Sequence, residues 1–297
     1  GNAISMGSDR KASIDVNKCI GCGSCTYQCP FGAIVDKSFL MDAIELLKGA
    51  EKWGYRVYAA VAPSIVGQFP PASFGQVAAG LKQLGFHQVV EVALGADMVA
   101  QEEGEELVEK GRLASSCCPA FVDYVEKQFP ELAESLVSKT PSPMVMTARY
   151  LKQRDHKAKV VFIGPCIAKK QEFRLGKTMG AVDCVITYDE VLPLFESRGI
   201  DITALIPEAP DQASGFGRNF AHSGGVSAAV KEALLEHGVP QETFTLKAVP
   251  CDGIEACRLA LLKESKGVLD GNFIEGMACE ACGSGKKYKK CCGMLDE

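Results

Sequence analysis

Between residues 39 and 278 the chain alternates short apolar runs with longer amphipathic stretches. The apolar runs are short and rich in β-branched residues, which predicts buried strands at YRVYAAVA (55–62), QVVEV (88–92), KVVFI (159–163) and VDCVIT (182–187). Helical periodicity predicts helices over 77–84, 98–110, 188–196 and 226–237. Strands that alternate with helices usually form parallel layers, so the sequence predicts an α/β fold. We expect two α/β lobes, divided near residues 153–157.

Two of the predicted strands run directly into loops of unusual composition. The first strand leads into Ala62-Pro63-Ser64, and the third leads into Gly164-Pro165-Cys166. Ligands of parallel α/β sheets gather beyond the carboxyl ends of the strands. We therefore expect a functional site where these loops meet.

Composition narrows the class of protein. The chain has 297 residues, of which 47% are hydrophobic and 23% charged, enough for a substantial core and a small appended module. The net charge is -5 and the cations are scattered, which argues against a nucleic-acid partner. There is no signal-peptide pattern and no run of ~18 apolar residues, so we expect a cytoplasmic protein without a membrane partner.

The 14 cysteines point to metal sites rather than disulfides, because they cluster as CxxC and CC pairs. The first cluster reads CIGCGSCTYQCP and contains Cys19, Cys22, Cys25 and Cys29. This spacing is typical of a bacterial ferredoxin [4Fe-4S] site, and we interpret residues 1–38 as a small α+β ferredoxin-like module. The alternative, four buried or disulfide-bonded cysteines, fits neither the spacing nor a reducing compartment.

A partial repeat bears on the role of Cys29. The opening GNAIS resembles FGAIV at 31–35, which is consistent with a chain that begins inside a two-cluster ferredoxin fold. In such folds the fourth cysteine of the run ligates the other cluster. On the sequence alone, Cys29 could close the site of the other three cysteines or serve a second cluster.

Three further cysteine segments lie far apart in the chain: SSCCPAF (115–121), GPCIAKKQE (164–172) and EGMAC (275–279). Thiolates so dispersed cannot form a short-loop zinc knuckle, and they could converge only through a folded domain, as ligands of an iron-sulfur cluster would. Cys117 and Cys118 are adjacent, so one can bind metal while the other faces a cavity. A buried apolar pair is the alternative, but it leaves Cys166 unexplained.

The segment after Cys166 is predicted to open a helix that carries Lys169 and Glu172. A lysine at this place can neutralise an anionic cofactor. Taken alone, however, the spacing favours a solvated Lys169–Glu172 pair on a helix surface.

In their order along the chain, the three segments resemble the active-site signatures of [FeFe]-hydrogenases, TSCCPxW, MPCxxKxxE and ExMACxxxC. The resemblance runs from residue 61 to residue 279, and the ferredoxin-like module fits it. Some flanks, including 251–257, are more similar to the divergent sensory branch of that family. The resemblance implies an anaerobic oxidoreductase that reversibly reduces protons to H2, with electrons relayed through the N-terminal cluster. It also implies a redox partner such as ferredoxin, maturation proteins and, for a sensory member, a signalling partner.

The same resemblance implies roles for individual residues around an H-cluster, a [4Fe-4S] cubane joined to a two-iron subsite with CO, CN and dithiolate ligands. Cys118, Cys166 and Cys279 would bind the cubane. Cys117 would pass protons to the dithiolate amine, and Lys169 would contact a cyanide ligand.

Further positions match the lining of the pocket and a proton relay. Ala62-Pro63-Ser64 and Met277 would line the two-iron pocket. Glu103, Ser138 and Glu106 would hand protons to the surface. The alternative for the two glutamates is an exposed acidic helix in QEEGEELVEK.

The chain departs from the family pattern in the third signature. The fourth cysteine is expected four positions after Cys279, where this chain has Gly283; the nearby thiol is Cys282. A CxxC spacing can still ligate one cubane. Gly164, Phe121 and Met144 also replace or alter family residues, which we expect to weaken or tune activity.

The last segment, residues 279–297, offers a competing interpretation. It resembles a zinc-binding SEC-C motif, whose four thiolates would be Cys279, Cys282, Cys291 and Cys292. Zinc and the cubane cannot both hold Cys279, and Glu275 and Met277 favour the cubane. Two rival hypotheses remain: an H2-sensing or non-catalytic iron-sulfur protein of the same fold, and a hydrogenase-like scaffold with a zinc-stabilised interaction tail. Cys117 argues against an assembly protein that lacks the two-iron subsite.

Overall fold

The computed structural model describes residues 3–208, 210, 212–240 and 243–279. Its strands are β1 Ile4–Met6, β2 Ala12–Ile14, β3 Arg56–Val61, β4 Gln88–Glu91, β5 Leu113–Ala114, β6 Ala158–Gly164, β7 Cys184–Thr187, β8 Ala248–Asp252 and β9 Phe273–Met277. Its α-helices are α1 Ser24–Gln28, α2 Leu40–Trp53, α3 Phe74–Gln83, α4 Ala93–Lys110, α5 Pro119–Gln128, α6 Pro130–Leu136, α7 Pro143–Arg154, α8 Lys169–Glu172, α9 Tyr188–Ser197, α10 Gly215–Arg218, α11 Gly225–Glu236 and α12 Ile254–Ser265. Short 3₁₀ helices span Pro63–Ile65, Ile202–Ala204 and Asn219–Ala221.

Two parallel sheets organise the main part of the chain, and the predicted α/β class is confirmed. The larger sheet has the strand order β4-β3-β6-β7, and the smaller has the order β5-β9-β8. All four predicted strands lie in the larger sheet. The predicted division near residues 153–157 is wrong, because β3 and β6 lie on opposite sides of it and pair along their length, from Arg56 with Ala158 to Val61 with Ile163.

The strands of the larger sheet are buried on both faces. In β3, Val57, Ala59 and Val61 pack into one apolar cluster with α2, α3 and α9. Tyr58 and Ala60 point to the other face, where they pack against α7. Burial on both faces explains why this strand reads as a continuous apolar run rather than an alternating one.

Local signals account for where several helices begin. Ser73 and Gln76 form a capping box at the start of α3, so the helix begins earlier than the predicted 77. Thr187 and Glu190 form the same motif at α9. Helix α4 begins at Ala93 rather than 98, and Gly95 lets it approach α7: a side chain there would lie 2.5 Å from the Pro143 carbonyl oxygen.

The N-terminal module is small and open. Strands β1 and β2 form an antiparallel hairpin whose residues are all exposed, and α1 buries none of its residues. The Lys127 ammonium on α5 holds the module by donating hydrogen bonds to the Cys19 carbonyl (2.6 Å) and the Val16 carbonyl (3.3 Å). Among the described residues, no helix is long and apolar enough to cross a membrane.

Candidate metal centre

The loops that follow β3, β5, β6 and β9 meet around one cavity of about 150 Å³. Four thiols from the three dispersed cysteine segments line it: Cys117, Cys118, Cys166 and Cys279. The expectation that these segments converge is therefore met. The rest of the lining is mostly apolar, which would shield a bound group from water.

Three of the thiols interact with one another electrostatically. Burial raises the pKa of Cys118 to about 11 and that of Cys166 to about 12, and in both cases the neighbouring Cys279 adds to the effect. Within the described residues there is no group of three Cys, His, Asp or Glu side chains that could hold a single metal ion. A shared cavity that gathers buried thiols from three segments fits an iron-sulfur cluster, whose iron would supply the positive charge that buried thiolates need.

The predicted lining residues lie at the same cavity. Pro63 and Ser64 form a 3₁₀ turn directly after β3, and the Ser64 hydroxyl is 2.8 Å from the Tyr188 hydroxyl. Ala62 precedes that turn, and Met277 enters from the end of β9; all four residues border the cavity. They border the space beside the thiols, and the assignment of that space to a two-iron subsite stays a prediction.

Lys169 presents a fixed positive charge to the cavity. Its ammonium donates to the Glu172 carboxylate (2.7 Å) and to the Cys117 carbonyl (3.1 Å). Burial by itself would lower the pKa of Lys169, but Glu172 and then Cys166 raise it overall, so the lysine stays charged. The interpretation of Lys169 and Glu172 as a solvated surface pair is wrong, because both side chains are buried.

Glu103 is a buried acid beside the thiols. Its Oε1 accepts hydrogen bonds from the Ser116 amide (2.8 Å) and the Ser116 hydroxyl (3.2 Å), whereas Oε2 has no partner in the described part of the chain. Burial raises the pKa of Glu103 to about 7, against the hydrogen bonds from Ser116. The alternative interpretation, that Glu103 lies on the exposed face of an acidic helix, is therefore wrong, because Glu103 is 0% exposed.

Cys117 and Glu106 both interact electrostatically with Glu103. Burial, and then the charge of Glu103, raises the pKa of Cys117 well above its usual value. Toward the surface, the Ser138 hydroxyl donates to Glu106 Oε2 at 2.6 Å. Burial raises the pKa of Glu106, but hydrogen bonds from Lys110 and Ser138 lower it overall. The predicted relay residues thus interact pairwise, by charge or through the Ser138–Glu106 hydrogen bond, and proton transfer along them stays a prediction.

Some features of the site were missed on the sequence. Glu275, noted only as part of a signature, is buried and accepts hydrogen bonds from the amides of Gly224 and Ser227, both at 2.9 Å, at the start of α11. Phe162 lines the cavity, and Gly164 makes room for its ring, since a side chain at 164 would lie 2.6 Å from it. The sequence signal for this feature was Gly164, which stands where the family signature has a methionine.

The N-terminal cysteines lie in a loop that packs against the metal-centre segments. Gly21 and Gly23 have φ of 66° and 75°, a left-handed conformation that favours glycine. A side chain at either glycine would clash with Gln171 or Ile167, which follow Cys166. Cys29 accepts a hydrogen bond from the Ala33 amide at 3.3 Å, and backbone amides of Phe31 and Ala33 lower its pKa. Which cluster Cys29 would serve stays open.

The zinc interpretation depends on Cys279 and on three cysteines that follow it. Cys282, Cys291 and Cys292, together with Gly283, lie outside the described residues. The choice between a cubane and zinc for Cys279 therefore stays a prediction.

Fold and site together define an α/β iron-sulfur protein with a buried thiol cavity and a ferredoxin-like module packed beside it. The family model described as iron only hydrogenase large subunit, C-terminal domain, matches residues 55–285, and a 4Fe-4S binding domain matches residues 12–35. The chain belongs to the iron-only, or [FeFe]-, hydrogenase family.

Curated relatives include both hydrogenases and assembly factors. The chain is 30% identical to NADP-reducing hydrogenase subunit HndD of Solidesulfovibrio fructosivorans, over 93% of this chain and 52% of the relative. It is 32% identical to iron hydrogenase 1 of Clostridium pasteurianum, over 90% of this chain and 50% of the relative. A cytosolic Fe-S cluster assembly factor of Xenopus tropicalis is 24% identical, over 79% of this chain and 57% of that protein. The chain spans about half the length of these relatives.

Solved structures support the fold. An [FeFe]-hydrogenase from a study of stepwise H-cluster assembly superposes with a TM-score of 0.67 at 24% identity, covering 88% of this chain and 90% of that one. A variant of the [FeFe]-hydrogenase of Chlamydomonas reinhardtii gives a TM-score of 0.66 at 23% identity, with the same coverage.

Proposed function

We propose that this protein reversibly reduces protons to H2 at an H-cluster held by Cys118, Cys166, Cys279 and Cys282. The observation that supports the proposal is a fully buried acid, Glu103, whose charge acts on the Cys117 thiol at the cavity and which is itself influenced by the charge of Glu106. A structural iron-sulfur site needs no buried acid of this kind. When bound, the two-iron subsite would supply the redox chemistry that joins protons and electrons.

The residues of the chain supply proton access. The pKa is lowered at Glu106, about 7 at Glu103 and well above the usual value at Cys117. A proton that enters at Glu106 therefore passes to groups that hold it more tightly. Ser138 donates a hydrogen bond to Glu106, where the proton would enter. Ser138 also borders a second, larger cavity of about 810 Å³, through which water can reach it.

Other side chains would hold the cofactor. The Lys169 ammonium would stabilise an anionic ligand, because Glu172 and the Cys117 carbonyl keep it charged and fixed. Ala62-Pro63-Ser64 and Met277 would exclude water from the two-iron pocket.

Electrons would arrive through a [4Fe-4S] cluster in the N-terminal module. The arrangement that supports this is the packing of Ile20 and Cys22 in the same apolar cluster as Cys118 and Cys166. A ferredoxin is the partner that an exposed module of this kind would fit, and maturation proteins would have to supply the two-iron subsite. We further propose that the protein acts in an anaerobic cytoplasm.

A second candidate is an H2-sensing or non-catalytic iron-sulfur protein of the same fold. The observation that favours it is the shortened spacing from Cys279 to Cys282, which alters how the cubane would be joined to the two-iron subsite. An assembly factor among the relatives fits this candidate. Cys117 and Glu103 favour catalysis, since a chain without proton chemistry has no use for them.

The test is H2 turnover after reconstitution with iron, sulfide and a synthetic two-iron mimic. We expect turnover by the wild-type chain and its loss in Cys117→Ala, with the infrared bands of the loaded cofactor retained. Cys184→Ala, which removes a buried thiol from the larger sheet, is the matched control and should keep turnover. Unchanged turnover in Cys117→Ala would remove Cys117 from the relay, and a loaded but inactive wild type would favour the second candidate.

A further inference from the structure

A second pair of thiols lies behind the metal centre and has no part in the proposed reaction. Cys251 is on β8, at the edge of the smaller sheet, and Cys257 is in the first turns of α12. They are 3% and 0% exposed, and both pack in the apolar cluster that contains Cys118. A tight turn at Gly253 brings strand and helix together.

The two side chains face each other. The Cys257 sulfur lies 3.8 Å from the Cys251 carbonyl oxygen and 3.6 Å from the Met277 carbonyl oxygen. A hydrogen bond between the two thiols lowers the pKa of Cys251 and raises that of Cys257. One thiol is thereby favoured as the thiolate nucleophile while its neighbour keeps its proton, a pattern that suits thiol–disulfide exchange.

Cys251 lies on an edge strand of the smaller sheet. Its chain neighbours are the exposed Pro250 and the half-buried Asp252, so a local opening of this edge would be enough to expose the thiol to an oxidant. On the inner side, Cys257 reaches the backbone of Met277, which borders the thiol cavity. A change in the position of the Cys257 side chain would therefore alter its contact with β9, the strand that carries Met277 and leads into Cys279.

We propose that Cys251 and Cys257 are a redox-active pair that closes to a disulfide between β8 and α12. Each thiol loses its proton, and the pair gives two electrons to a low-molecular-weight disulfide, which is released as two thiols. Disulfide formation removes the Cys257 S–H that donates to the Met277 carbonyl. The redox state of the low-molecular-weight thiols in solution would thereby affect Met277, which borders the metal centre. This inference does not depend on the proposed H2 reaction.

One tryptic peptide reports on the pair. Cleavage after Lys247 and Arg258 releases AVPCDGIEACR, which carries both thiols and no other cysteine. The folded, full-length chain is equilibrated in glutathione mixtures of increasing oxidation, quenched in acid, alkylated under denaturing conditions and digested. We expect the doubly alkylated peptide to convert to an unalkylated form lighter by two hydrogens, reversibly and along a two-electron curve.

Cys184 provides the internal control, because it is buried and lies alone in its peptide, residues 178–198. It should stay alkylated throughout, which shows that the chain has not unfolded. The proposal is overturned if peptide 248–258 stays doubly alkylated in the most oxidising mixture, or if it is oxidised only together with Cys184. Cys257→Ser should abolish the two-hydrogen loss, and a loss that persists would also contradict the pair.

Discussion

The two predicted iron-sulfur sites of this protein are built in opposite ways. In the N-terminal module, closely spaced cysteines lie in an open loop beside fully exposed strands. At the metal centre, thiols from three segments far apart in the chain converge because loops at the carboxyl ends of strands from both parallel sheets border one cavity. Short spacing is enough to prepare the first site, whereas the second depends on the whole fold and on buried charges.

The largest expected effect separates the two sites by iron content. Cys166→Ala should abolish the cubane at the metal centre and leave the N-terminal cluster, because the module does not need the cavity to form its loop. Cys22→Ala should do the reverse. Iron analysis and electron paramagnetic resonance of the reconstituted chains measure this, with Cys184→Ala as the control. Loss of both signals in either variant would contradict independent sites.

The buried ion pair of Lys169 and Glu172 at the metal centre can be compared with an exposed ion pair at the surface. Lys169→Met leaves Glu172 buried without its partner and should lower the free energy of unfolding by about 3 kcal/mol, the low end for a broken buried pair, because Glu172 also borders the larger cavity. Lys177→Met removes a cation from an exposed pair with Glu126 and should cost less than about 1 kcal/mol. Urea unfolding compares the two.

The double variant Lys169→Met, Glu172→Leu sharpens this prediction. Removing both charges should recover most of the stability lost in the single variant. If the single and double variants are equally unstable, packing rather than the unpaired carboxylate explains the loss.

Glu103 should give a pH-dependent effect of up to about 3 kcal/mol. Its pKa is raised from 4.5 to about 7, so between these values the folded chain holds a proton that the unfolded chain releases. The contribution of Glu103 to stability therefore falls as pH rises from 4.5 to about 7, and it stays low above that. Glu103→Gln should gain stability relative to wild type on going from pH 5 to pH 8.

Glu106→Gln should behave in the opposite sense, because the pKa of Glu106 is lowered. The contribution of Glu106 to stability is present above its ordinary pKa of 4.5, and it is lost as the pH falls through its lowered pKa in the folded chain. The Glu103 difference is measured by urea unfolding at pH 5 and pH 8, whereas the Glu106 difference lies below the ordinary pKa of 4.5 and is measured at pH 3 and pH 5. The same sign for the two variants would contradict the assignment of Glu103 as a buried acid.

The smallest predicted effect concerns Glu275, which caps α11. Glu275→Gln keeps one acceptor oxygen but loses the charge at the helix N-terminus, and should cost about 1 kcal/mol in urea unfolding. Glu236→Gln, at the exposed C-terminal end of the same helix, is the control and should change stability by less than about 0.5 kcal/mol. Equal effects would mean that Glu275 is not a specific cap.

The sequence predicted the four strands of the larger sheet and the convergence of the cysteine segments, because apolar runs and motif spacing are local patterns, but it missed the strands of the smaller sheet. It failed where the outcome depends on which elements pack together. The pairing of β3 with β6 across the predicted division is one case, since no local pattern encodes strand order. The burial of Lys169 with Glu172, and of Glu103, is another: a charged residue on a predicted helix reads as exposed until its partner is known.

The most direct test of the central claim is infrared spectroscopy of the chain after cubane reconstitution and addition of the two-iron mimic. The account predicts CO and CN stretching bands in the wild-type chain, and their absence in Cys166→Ala, which keeps its N-terminal cluster. A wild-type chain with confirmed [4Fe-4S] loading but no such bands would contradict it.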